Sequence, residues 1–229
     1  MFDGKFRVHV EKYVRPIGVT LTGTKITPDH LTVVGLLFSI AAAITIGAGY
    51  LRVGLLLVIA AALPDLLDGA LAKASNVSSQ RGAFFDSTVD RVTDAFMLGG
   101  VAWYLAETRG GTAAVLPFAV MAVSSLISYQ RAKAESLGIQ AKGGLMERAE
   151  RIVILCVGLL FDSGLYWVMW AMLALVSVTA VQRFVKIWRQ AAVAPSTAER
   201  LDARRSRRAS RRAAFADRRA RLGSRRRDA

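Results

Sequence analysis

Residues 65–90 read DLLDGALAKASNVSSQRGAFFDSTVD, and the remainder of the chain is best understood as the scaffold that holds them. Four aspartates, Asp65, Asp68, Asp86 and Asp90, stand at spacings of three, eighteen and four. Neighbours at i,i+3 and i,i+4 share one face of a helix. Two helices crossing at those faces bring four carboxylates to one point. Four such groups cannot all stay ionised without a counter-charge. No His or Cys stands among them, so the all-oxygen set suits Mg²⁺ or Mn²⁺ better than zinc. The flanks, VGLLLVIAAALP before and AFMLGGVAWYLA after, are apolar. Ionisable groups in such a setting are costly and mark a functional site facing an interior cavity. The bland alternative is a charged interhelical loop without metal.

The chain has 229 residues and is 53% hydrophobic despite 31 Lys and Arg, so its apolar residues must be concentrated. Leu31 to Leu51, Thr112 to Gln130 and Ser163 to Gln182 carry no charge. Runs of about 20 apolar residues span a bilayer. The fold class is therefore all-α integral membrane. Six spans are expected: Leu31 to Tyr50; from Val53 into the aspartates, with a bend at Pro64; Gly82 to Ala106; Thr112 to Gln130; Arg148 to Leu160; and Gly164 to Trp188. Thr27 is the expected N-cap of the first, with Pro28 in its first turn. Residues 1–22 pattern as an amphipathic helix on the membrane surface, 23–192 as the six-helix catalytic domain, and 193–229 as an Arg-rich tail. The N-terminus shows no cleavable signal peptide. Cys156, the lone cysteine, excludes an intramolecular disulfide.

Charge orients the spans. The net charge is +14, of which the tail from Ser196 onward contributes +9 and everything else +5. One set of connections holds Lys73, Arg81, Arg131, Lys133, Arg148 and Arg151, whereas the other holds only Arg52 and Arg109. The positive-inside rule then puts both termini and the aspartates on the cytoplasmic side of the cell membrane. The tail suits attraction to anionic membrane lipids. Nucleic acid is not an expected partner, because Phe215 is the tail's one aromatic.

Paired metals and carboxylates at a membrane boundary suit phosphoryl-type chemistry on a lipid-linked substrate. Asp65-x-x-Asp68-Gly69-x-x-Ala72, Gly82-x3-Asp86-x3-Asp90 resembles the signature of the CDP-alcohol phosphatidyltransferases. It departs at Lys73, where that family usually has Arg. Lys keeps the charge without the bidentate geometry. The resemblance implies CDP-diacylglycerol as donor, CMP as leaving group and a homodimer. It implies Asp65, Asp68, Asp86 and Asp90 as metal ligands and Asp90 also as general base. Asp29, His30, Leu31, Thr32, Gly69, Ala72, Lys73 and Ser79 would bind the donor.

SYQRAKAESLG, GGLMERAERIVIL and VQRFVKIW are similar in order and spacing to the actinobacterial phosphatidylinositol phosphate synthases within that family. This likeness implies inositol phosphate as acceptor. Arg131, Lys133, Arg148, Arg151 and Arg183 would bind its phosphate, since arginines at the cytoplasmic ends of three spans can converge on one anion. The bland reading makes them positive-inside anchors. Two rivals remain at this stage: the same chemistry on glycerol 3-phosphate, giving phosphatidylglycerol phosphate, and a divalent-cation transporter built on the aspartates.

Overall fold

The computed structural model describes residues 27–75, 79–139, 141 and 143–192, the side chains of 65–75 and 192 excepted. The expected surface helix of residues 1–22 and the tail of 193–229 lie outside the described residues. Two compact units divide the chain between Val185 and Lys186. All described regular structure is helical: α1 (Pro28–Gly47), α2 (Leu51–Ser75), α3 (Gln80–Arg109), a 3₁₀ turn (Gly111–Ala114), α4 (Val115–Ser136), α5 (Arg148–Leu160) and α6 (Leu165–Ala192).

Each boundary has a local cause. Thr27 caps α1 in a reciprocal box with His30, and Pro28 occupies the first turn. Ser79 caps α3 by accepting from Gly82 N at 2.9 Å. Glu147 and Glu150 form the equivalent box at the start of α5, where Glu150 Oε2 accepts from Glu147 N at 3.1 Å. Such boxes satisfy amide donors that a helix start otherwise leaves orphaned. Helix α2 continues through Pro64 to Ser75. Pro64 brings no N–H of its own to that ladder.

The helices stand where six spans are expected. By length and apolarity, Pro28–Gly47, Gly111–Ser136 and Leu165–Ala191 qualify outright, and Leu51–Pro64 is a shorter apolar helix. The other two differ for visible reasons. Helix α3 has 30 residues but carries Asp86, Asp90, Arg91 and Asp94 in its first half. Helix α5 has 13 residues, which at 1.5 Å per residue is about 20 Å, short of the ~30 Å hydrocarbon layer. The protein is a membrane protein, and its outward side chains agree. Leu37, Leu56, Phe118, Trp167 and Val181 are each more than 60% exposed, an apolar surface that water would not tolerate but lipid does.

Helix α1 packs against α2 and α3, α3 against α4, and α2 against α5. Ile46, Val58, Val101, Val120, Leu159, Met169 and Val176 form one buried cluster that draws on all six helices. Close approach depends on two glycines. A Cβ at Gly100 would fall 2.5 Å from the Ala43 carbonyl oxygen, and one at Gly47 would meet the Trp103 ring. Both contacts lock α3 onto α1, and that docking orients the acidic face of α3.

Candidate active site

Helix α3 presents Asp86 and Asp90 one turn apart, and both face a cleft walled by four helices. Leu31, Thr32 and Gly35 come from α1, Ala61 and Pro64 from α2, Val89 and Thr93 from α3, and Arg148 from α5. The open space between these atoms is about 250 Å³. Gly35 makes the cleft floor narrow, because its missing Cβ would lie 3.1 Å from the Ala61 carbonyl. Asp65 and Asp68 belong to α2 just beyond Pro64, so the backbone carries them onward from this cleft. Their side chains, with those of Ala72 and Lys73 and the surroundings of Gly69, lie outside the described residues.

The segment expected to bind the donor divides in two. Leu31 and Thr32 line the cleft. His30 is exposed and its Nδ1 accepts from Thr27 N at 3.3 Å, so the ring serves the α1 cap. Asp29 lies beside the start of α3, its Oδ1 3.8 Å from where a Gly82 Cβ would stand. The N-termini of α1 and α3 therefore sit side by side. Two helix starts together favour an anion. Ser79, at that end, uses its hydroxyl as the α3 cap.

The basic residues form a graded series. Arg148 Nη1 contacts Asp90 Oδ1 at 2.7 Å, and its Nε reaches Asp94 Oδ1 at 3.4 Å. Arg151 is buried, with Nη2 2.6 Å from Asp94 Oδ2. Arg183 is only 4% exposed. It donates to the carbonyls of Ile127 at 3.2 Å and Gly143 at 3.1 Å, and pairs with Glu147 at 3.4 Å. Its Nε is buried without a partner among the described residues. Arg131 and Arg151 lie within electrostatic range of Arg183. Arg131 itself is exposed and pairs with Glu135 on its own helix at 2.9 Å. Lys133 is exposed in the last turn of α4.

Two acids in these pairs, Asp94 and Glu147, were not anticipated. Asp86, Asp90 and Asp94 continue one i,i+4 ladder, and Arg148 and Arg151 stand i,i+3 on the helix opposite. That match of spacings was the available signal.

A family model for CDP-alcohol phosphatidyltransferase matches residues 25–181. The chain belongs to the CDP-alcohol phosphatidyltransferase family. It is 37% identical over 180 residues to a phosphatidylinositol phosphate synthase of Mycobacteroides abscessus, covering 75% of this chain and 82% of that protein. It is 33% identical over 192 residues to an archaetidylinositol phosphate synthase of Methanothermobacter thermautotrophicus, covering 81% and 94%. The crystal structure of Mycobacterium tuberculosis phosphatidylinositol phosphate synthase with CDP-DAG bound superposes with a TM-score of 0.71 at 30% identity, covering 77% of this chain and 94% of that one. The same enzyme in complex with manganese and citrate gives 0.70 at 31%, covering 76% and 88%. Membership makes the protein a phosphatidyltransferase and sets aside the cation pathway that the acids alone left open. Within this family the matched segment contains every described helix except the end of α6.

Proposed function

We propose that this phosphatidyltransferase moves the phosphatidyl group of CDP-diacylglycerol onto inositol 1-phosphate, releasing CMP and forming phosphatidylinositol phosphate. The observation that carries the reading is the set of arginines behind the acidic ladder of α3. Arg148 touches Asp90, and Arg151 and Arg183 are buried beyond it. Buried guanidiniums in such number suit an acceptor that already bears a phosphate. Free inositol would need none of them.

The donor set fits a divalent cation. Asp86 and Asp90 open onto one cleft, their ligand atoms are all oxygen, and the backbone brings Asp65 and Asp68 from the adjoining helix. Among the described residues alone no cluster of three such groups forms, so the set needs the α2 acids for completion. Mg²⁺, or Mn²⁺ in its stead, would be held by Asp65, Asp68, Asp86 and Asp90, neutralising charge on the pyrophosphate. The protein's own groups do the rest. Asp90 takes the proton from the acceptor hydroxyl, whose oxygen forms the new bond to phosphorus. The bond between the two donor phosphates breaks, and CMP leaves with the electron pair. Arg148, shared between Asp90 and Asp94, keeps the base oriented until substrate arrives.

The reading extends to the whole chain. Residues 23–192 are the catalytic domain, 1–22 a surface helix and 193–229 a tail drawn to anionic lipid. The cleft and both termini face the cytoplasm at the cell membrane, as the loop charges support, and the family resemblance implies a homodimer.

Purified protein in detergent, given CDP-diacylglycerol and Mg²⁺, is expected to release CMP with inositol 1-phosphate and not with free inositol. Release with glycerol 3-phosphate alone would keep the aspartate chemistry and overturn the acceptor. Release with free inositol at an equal rate would remove the need for a phosphate pocket.

A further inference from the structure

Asp94, the third acid in the ladder of α3, pairs with two arginines of α5. Its two oxygens face two guanidiniums: Arg151 Nη2 at 2.6 Å and Arg148 Nε at 3.4 Å. Arg148 in turn reaches Asp90 at 2.7 Å. The result is an alternating row, Asp90, Arg148, Asp94, Arg151, which joins the base to the basic pocket. Because Arg148 and Arg151 stand i,i+3 on one face of α5, a single carboxylate sets the direction of both.

The surroundings make that hold firm. Asp94 and Arg151 form the polar part of a second cleft, whose other walls are Met97, Leu98, Ile152, Leu155 and Met172. Away from water an ion pair is stronger and each partner is costly to strand. Arg151 spends one terminal nitrogen on Asp94. Its fork is thereby fixed in azimuth, and its remaining donors stay available for a second anion. Arg148 is held between two carboxylates, with Nη1 on Asp90 at 2.7 Å and Nε toward Asp94 at 3.4 Å, which keeps it from swinging into solvent.

We propose that Asp94 is a positioning residue for the acceptor: it orients Arg148 and Arg151 to receive the acceptor's phosphate and moderates the hold of Arg148 on Asp90. This rests on the reading that the acceptor is phosphorylated. Both carboxylate oxygens of Asp94 face the two arginines, so its effect passes through them. It acts on the acceptor and not on the nucleotide, whose expected binding segment begins α1 and α3.

The test is CMP release by the full chain in detergent, with KM measured separately for CDP-diacylglycerol and for inositol 1-phosphate. Asp94→Asn keeps the shape and removes the charge. The expected result is a rise of roughly tenfold in acceptor KM with donor KM moved by less than about twofold, the pattern of lost binding to one substrate. Asp94→Glu restores the charge on a longer stem and should recover part of that rise, and it decides the matter if the Asn protein does not fold. Adding Arg151→Lys to Asp94→Asn should raise acceptor KM by less than the product of the single effects, because both act through one contact. A purely structural Asp94 would lower melting temperature and kcat while leaving both KM values alone. Equal shifts in the two KM values, or none, overturn the role assigned to Asp94 and leave the function standing. Wild-type protein that works only with an unphosphorylated alcohol overturns both, and the wild-type arm alone reveals it.

Discussion

Arg183 shows how a residue can serve the site and the fold together. From the sequence it reads as a cation at the end of the last span, either a phosphate ligand or an interfacial anchor. The structure gives it three protein acceptors: the Ile127 carbonyl within α4, the Gly143 carbonyl in the loop before α5, and the Glu147 carboxylate. It therefore ties α6, α4 and the entry to α5 into one corner. Its Nε is buried with no partner among the described residues. Removing one member of a buried pair typically costs about 3–5 kcal/mol, since the partner is stranded. For a chain this size each kcal/mol lowers the melting temperature by roughly 2–4 °C. Arg183→Ala is thus expected to melt earlier by several degrees and also to raise the acceptor KM more than the donor KM. Arg183→Lys keeps the charge but loses the fork, so it should retain more stability than acceptor affinity. Thermal melts paired with the two KM values check this. Unchanged stability in the Ala variant would reduce Arg183 to an anchor. The four signature aspartates and the arginines stand out in the sequence because their types and spacings are specific. Asp94 and Glu147 do not, because a lone acid acquires its role only from the cation that folding brings opposite it.

At the scale of the element, periodicity and charge sufficed for number and order. The described helix limits fall within a few residues of the expected ones. The ends were less legible. Helix α3 begins at Gln80 because Ser79 can cap it, and it runs past Ala106 to Arg109, where Gly110 with φ of 96° ends it. Such endings follow from local geometry that a hydropathy pattern does not contain. The third span carries two adjacent glycines, Gly99 and Gly100, and the structure separates them. Gly100 meets the α1 backbone at Ala43, while Gly99 faces open space. A methyl group at Gly100 would have to push α3 off α1, because the atoms it meets are backbone and cannot rotate aside. Overpacking of this kind costs about 1–3 kcal/mol. Gly100→Ala is expected to lower the melting temperature and to cut turnover, since α3 carries Asp86 and Asp90 to the cleft. Gly99→Ala should leave stability unchanged or slightly improved, as Ala is the better helix former. Equal effects from both substitutions would show that the α1–α3 contact does not set the position of the acids.

For the membrane unit as a whole, the question is which face of the bilayer the cleft occupies. Side-by-side contacts sort helix ends into two groups. Asp29 adjoins Gly82, and Arg183 joins Ile127, Gly143 and Glu147, which gathers the starts of α1, α3 and α5 with the ends of α4 and α6. At the opposite end Arg109 covers the Tyr166 ring at 4.7 Å, joining the end of α3 to the start of α6. The first group holds the aspartates of the cleft and most of the cations, and the second holds Arg52 and Arg109. By the positive-inside rule, a charge asymmetry this large is expected to put the first group in the cytoplasm. Cysteine labelling in intact cells tests it, in a background where Cys156, the lone native cysteine, is changed to Ser. Leu137→Cys, exposed beyond the last turn of α4, should resist a membrane-impermeant maleimide until the cells are permeabilised. Arg52→Cys, exposed in the first turn of α2, should react at once. The reverse pattern would put the cleft outside, where no CDP-activated lipid could reach it from the nucleotide pool. Labelling of both positions in intact cells would mean that helix ends sorted apart here lie on one face of the membrane.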